Sequence, residues 1–245
     1  MSDVPASYVI DTTEDVTSVL SALRVAGVTG IIGYLNPLGP TSKVVTQDRA
    51  RAIGAAGMTL ALVSEGWGDF AHGGISAGAG ERDAAHAKQA VAALGVASPP
   101  TVYFAVDTDA TQAQITKLVL PYFAAIRAAY NGRVGVYGSG AVCSAVLAAK
   151  TASLAWLACS TGWAGYQDLL KSGKWALRQH LPSYVAGVSC DVNDVQGDYG
   201  AFVPFAAQDQ ILSANEKQVM VAQLVSQAGI SNLTSITPQN ERSGP

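Results

Sequence analysis

Asp107 and Asp109 stand two residues apart at the end of the apolar run Thr101–Val106. In an extended chain such a pair points to one face. Two carboxylates sharing a site repel, which raises the pKa of one and leaves the other ionised. Glycosidic cleavage uses that combination of neutral acid and charged base. A metal pair is the other chemistry open to clustered Asp; it ranks lower because His72, His86 and His180 show no ligand spacing and read as solvated or incidental. Three further acids close apolar runs: Asp11 after Tyr8–Ile10, Glu65 after Met58–Ser64, and Asp191 after Val188–Cys190. Helix capping competes for each Asp singly, Asp109 before ATQAQIT above all, but the set points to one acidic pocket.

Aromatic and amide side chains gather at the same boundaries. Tyr34, Trp67, Tyr137, Trp156 and Trp163 lie in or beside the ends of apolar runs, where flat rings between carboxylates suit sugar faces. Ordinary packing is the alternative for each ring. Gln179 and Asn193 are polar donors at the same level. The expected catalytic set is therefore Asp107, Asp109, Asp11 and Asp191. The expected substrate-binding set is Tyr137, Trp156, Gln179, Glu65, Trp67 and Asn193, with neither metal nor cofactor. Ser139, in YGSG, is not a nucleophile elbow and reads as a strand-to-helix turn. Cys143, Cys159 and Cys190 lie in apolar runs without C-x-x-C spacing and read as small buried hydrophobes.

Positioning these residues takes a repeating scaffold. From Tyr8 to Asp191 short apolar runs alternate with Ala-rich stretches of helical period. Strands are expected at YVI, VTGIIGYL, MTLALVSE, PTVYFAVD, RVGVYGS, SLAWLACS, KWALRQH and AGVSCDVN. Helices are expected after Thr12 or Thr13, over 47–56, 81–94, 112–130 and 141–149, and weakly over 166–170. Near-continuous apolar strands suit a parallel sheet covered on both faces. Eight such units predict an α/β chain folded as a compact (β/α)8 TIM barrel over 7–204. A doubly wound sheet is the alternative, weakened by the lack of G-x-G-x-x-G after the first strand. Residues 205–245 read as a C-terminal appendage, with a helix over 212–227 and a polar tail.

Composition narrows the partners. The 245 residues carry 15 Lys+Arg against 18 Asp+Glu, a formal net charge of −3, and 49% are hydrophobic. That apolar fraction excludes a disordered chain, and the absence of a basic cluster argues against nucleic acid. No apolar run is long enough to span a membrane. The segment MSDVPASYVID lacks a basic region and an apolar core, so no signal peptide is expected.

Together these pieces resemble the glycoside-hydrolase-like barrel family DUF1906, related to the family-25 lysozymes (muramidases) of bacteria and phages. The matching segments are YVIDT, VYFAVDTDAT, GVYGSG, LAWLA, ALRQH and VSCDVND, in order over about residues 7–203. The resemblance implies a peptidoglycan-directed glycosidase. Asp109 stands where those lysozymes carry the general-acid Glu, one methylene longer. Asp107 would stabilise charge or assist attack, and Asp11 and Asp191 would orient and polarise. Tyr137, Trp156 and Gln179 would line sugar subsites. It further implies a phage endolysin, held in the host cytoplasm until holin-dependent release, or a virion component contacting other subunits through 212–227. The alternative is a catalytically silent barrel that binds glycan or serves as a structural module of a phage tail.

Overall fold

The computed structural model describes residues 8–35, 44–66, 68–70, 72–96 and 98–205. Eight strands close into one barrel in sequence order: β1 (Tyr8–Asp11), β2 (Val28–Tyr34), β3 (Thr59–Ser64), β4 (Val102–Ala105), β5 (Val134–Gly138), β6 (Leu154–Leu157), β7 (Leu177–Val185) and β8 (Val188–Val195). Helices α1 (Leu20–Val25), α2 (Gln47–Ala55) and α3 (Ala77–Leu94) follow the first three strands. After β4 come α4 (Gln112–Gln114), a π-helical turn over Ile115–Val119 and α5 (Leu120–Ala129). Pro121 sits at the start of α5 and lacks the N–H a regular ladder needs, at the point where the wider turn gives way to α-helix. Helices α6 (Gly140–Ala148) and α7 (Tyr166–Ser172) follow β5 and β6.

Local chemistry sets the helix starts. Thr46, Ser76 and Ser139 each accept the backbone N–H three residues on, satisfying a donor that the first turn leaves free. Thr111 and Gln114 form a reciprocal capping box; the cap of α4 is therefore Thr111 and not Asp109. The first helix departs from expectation. Thr12 Oγ1 donates instead to the Ser189 carbonyl at 2.7 Å. The chain enters a 3₁₀ turn at Thr17, whose N–H Asp15 accepts at 3.0 Å.

The largest departure from an eightfold βα repeat is the last strand. β1 through β7 are parallel neighbours, but β8 runs antiparallel to both β7 and β1. Only Ala186 and Gly187 separate β7 from β8. A parallel return takes a crossover of a dozen or more residues, whereas two residues suffice for a hairpin. Both have positive φ, 50° and 85°, as a type I′ turn requires. LPSYV, which lies between the expected strands KWALRQH and AGVSCDVN, is the outer half of β7; Pro182 is tolerated beside a bulge between Gln179 and Pro182.

Inside the barrel, alternate residues of each strand meet. Val9, Ile32, Ala61, Val63, Tyr103, Trp156 and Leu177 form the inner cluster. The opposite faces pack against the helices in a larger outer cluster. Tyr103 lies across the interior because Gly135 leaves room: a Cβ there would stand 2.5 Å from the ring. Its hydroxyl donates to the Tyr199 carbonyl at 2.8 Å, tying down the segment after β8.

Candidate functional site

The inward-facing alternation continues to the strand ends. Two residues on from Val9, Ile32 and Leu177, it presents Asp11 (β1), Tyr34 (β2) and Gln179 (β7), and β5 adds Tyr137. Glu65 and Asp107 follow β3 and β4. Tyr34, Glu65, Asp107, Tyr137 and Gln179, above Val63, Ala105 and Trp156, line a shallow depression. A wider hollow of about 620 Å³, lined by Arg127, Arg133 and Lys150 among others, opens at the starts of β5 and β6. It lies at the other end of the barrel from the carboxylates, whereas barrel enzymes work at the C-terminal ends of their strands.

Beneath the depression runs a hydrogen-bonded chain. Tyr137 Oη donates to Gln179 Oε1 at 2.9 Å and stands 3.5 Å from Asp107 Oδ1. Gln179 Nε2 donates to Asp191 Oδ2 at 3.1 Å and reaches both Asp11 oxygens at 3.3 and 3.4 Å. Asn193 Nδ2 donates to Asp11 Oδ2 at 2.7 Å, and its Oδ1 accepts from Trp156 Nε1 at 2.7 Å. Tyr34 Oη donates to Asp11 Oδ1 at 3.1 Å. The indole N–H can only donate, so it fixes the orientation of the Asn193 amide. Asn193, Gln179 and Tyr34 together bring three donors to the Asp11 carboxylate.

Burial raises the Asp11 pKa to about 7. The Asn193 hydrogen bond opposes that rise, the nearby Asp191 charge adds to it, and the Gln179 and Tyr34 hydrogen bonds oppose it again. Burial also raises Asp191. Tyr34 and Tyr137 lie well above the ordinary phenol range, chiefly through burial and then through the carboxylates beside them; both remain neutral donors at neutral pH.

The residues expected from sequence separate into three groups. Asp11, Asp107, Asp191, Tyr137, Gln179 and Glu65 converge on the mouth. Asp191 does so by an unexpected route. It does not end its strand; it lies within β8, directly opposite Asp11, because β8 runs back toward the barrel floor. Trp156 and Asn193 belong to the same network but at 2% and 0% exposure. The Trp156 ring packs edge-on against Tyr137 and Tyr103, so it supports the floor and leaves no face for a sugar. Asp109 is not among the residues lining the depression. Strand β4 stops at Ala105, the pleat that would have aligned residues 107 and 109 stops with it, and Asp109 Oδ1 accepts the Ala164 N–H at 3.0 Å. Trp67 lies outside the described residues.

Tyr34 was legible as a mouth aromatic but not as the donor to Asp11; its two-residue alternation with Ile32 is the signal that places it inside. Gly68, with φ 63°, accepts the Asp107 N–H at 2.9 Å, so the glycine-rich loop after β3 anchors the Asp107 backbone. Of the cysteines, Cys143 and Cys190 are buried and Cys159 is partly exposed. His180 is half-buried, with Nε2 2.8 Å from Asp194 Oδ2 on the outer face of β7.

Comparison with known proteins gives this geometry a family. A Bacillus subtilis (strain 168) protein, YbfG, is 33% identical over 111 residues, spanning 41% of this chain and 15% of its own length; the chain thus matches only a small part of that relative. The crystal structure of the Mycobacterium tuberculosis Tat-secreted protein Rv2525c superposes with a TM-score of 0.68 at 20% identity, covering 80% of this chain and 99% of the other. An uncharacterised B. stearothermophilus protein superposes with a TM-score of 0.56 at 16% identity, over 78% and 96% of the two chains. The family model for the Rv2525c-like, glycoside hydrolase-like domain matches residues 21–202, most of the barrel, and the chain belongs to that family.

Proposed function

We propose that the barrel mouth engages the glycan strands of bacterial peptidoglycan and hydrolyses a glycosidic bond there, in kinship with the family-25 lysozymes. The observation that carries this reading is the depression lined by Glu65, Asp107, Tyr34 and Tyr137 over the buried Asp11–Gln179–Asp191 network. Glu65 and Asp107 are the carboxylates that reach substrate, one as acid and one as base or nucleophile. Tyr137 offers its hydroxyl beside Asp107 and is held in place by Gln179. Asp11 and Asp191 set the field beneath, and Asp109 fastens the loop after β6. The Tat-secreted mycobacterial relative supports a barrel that works after export, with no need of phage lysis; the virion reading depends on residues 212–227, outside the described part.

The test is release of reducing ends from purified peptidoglycan. Asp107→Asn and Glu65→Gln each lower the rate by about 100-fold or more, while Asp109→Asn stays within about threefold of the wild type. Equal rates for all four proteins sink the assignment. A second reading, a glycan-binding barrel without catalysis, is favoured by Asp109, a shorter acid than the Glu of the lysozymes and turned to the Ala164 N–H. It predicts pelleting with peptidoglycan and no reducing ends from any variant.

A further inference from the structure

The β7–β8 hairpin has two unlike faces. Val185 and Val188 pair with one another, as do Ser183 and Cys190, and Val185, Val188 and Cys190 are buried in the outer core. The opposite face carries Asn193, Asp191 and Ser189 on β8, with Pro182 and Tyr184 across from Asp191 and Ser189. This is the face that bears the acidic network, since Asn193 and Asp191 both belong to it. The bulge decides which residues of β7 share it. From Gln179 to Pro182 the chain takes three steps against two on β8, so the inward alternation passes to Pro182 and Tyr184. Without the extra residue Leu181 and Ser183 would have taken it.

Tyr184 is 79% exposed, an unusual state for a large ring on the face of a strand whose other face is core. It stands two residues along the hairpin from Asp191, about 7 Å at ~3.3 Å per residue. A tyrosine there presents a flat apolar surface with only two side-chain torsions to fix.

We propose that Tyr184 is a saccharide-stacking residue: it holds the ring of a glycan unit next to the one seated over Glu65 and Asp107, and so makes the site select a chain over a single sugar. This rests on the glycan reading above and adds the residue that sets substrate length. The hairpin turn positions it, and the bulge aims it.

Binding of chitohexaose and of N-acetylglucosamine, followed by calorimetry, tests the proposal on the wild type, Tyr184→Ala, Tyr184→Trp and a control, Val25→Ser, at an exposed site outside the hairpin. Tyr184→Ala weakens the hexamer by about fivefold or more and the monosaccharide by less than twofold. Tyr184→Trp restores the hexamer, and Val25→Ser changes neither. Thermal unfolding of Tyr184→Ala matches the wild type, because the ring supports no core. Unchanged hexamer affinity in Tyr184→Ala, alongside wild-type binding that Asp107→Asn weakens, overturns the stacking role and leaves the mouth as the glycan site. Failure of the wild type to bind either sugar or purified peptidoglycan overturns both.

Discussion

Asp11 is caught between burial, which favours its neutral form, and three donors that favour the charge; burial wins, and the pKa rises from 3.8 to about 7. Between those values the folded chain holds a proton that the unfolded chain has released. The stability from this group is therefore present below about pH 4 and lost as pH rises through about 7, on the order of 4 kcal/mol were Asp11 to titrate alone. Asp11→Asn removes that slope: urea unfolding from pH 4 to pH 7.5 shows a fall in wild-type stability that the variant lacks, and parallel curves would contradict the burial argument. Trp156→Phe keeps most of the ring and removes the donor to Asn193 Oδ1. Orphaning a buried acceptor costs about 1–3 kcal/mol, readable as a lower urea midpoint. Strand-end position pointed to Asp11, Glu65, Asp107, Tyr137 and Gln179 in the sequence, and the fold brings these five to the barrel mouth. Position could not give depth, so Trp156 and Asn193 read as sugar contacts, whereas the fold buries both. Nor could it tell where the pleat ends, so Asp109 read as the partner of Asp107.

At the scale of elements, the apolar runs and their alternation located all eight strands, and helix caps such as Thr46 and Ser76 confirm the connections that the spacing predicted. Strand direction was not legible, because an apolar run reads the same both ways. The signal was the two-residue gap at Ala186 and Gly187, obscured by Pro182. That hairpin carries a local cost: Ala186 adopts φ 50°, where a Cβ is disfavoured by about 1 kcal/mol or more. Asn tolerates this region better. Ala186→Asn therefore raises stability by up to about 1 kcal/mol, a gain of about 2–4 °C in melting temperature for a domain of this size. A lower melting temperature would show that the turn relies on something other than its left-handed pair.

Across the whole molecule, the closed barrel gathers residues from opposite ends of the sequence, Asp11 and Asn193 among them, into one network under one opening. The reversed eighth strand is what makes this possible: it sets Asp191 directly against Asp11 and extends the hairpin on the acidic face. Family membership over 21–202 follows the barrel and says nothing of 206–245. Glycan, on the reading proposed above, meets the protein at this opening. A crystal structure of the chain soaked with a peptidoglycan-derived disaccharide tests it most directly. A sugar ring within contact of Glu65, Asp107 and Tyr137 is the expected result; a disaccharide bound instead at the Arg127 and Lys150 hollow, with the mouth empty, rules this site out.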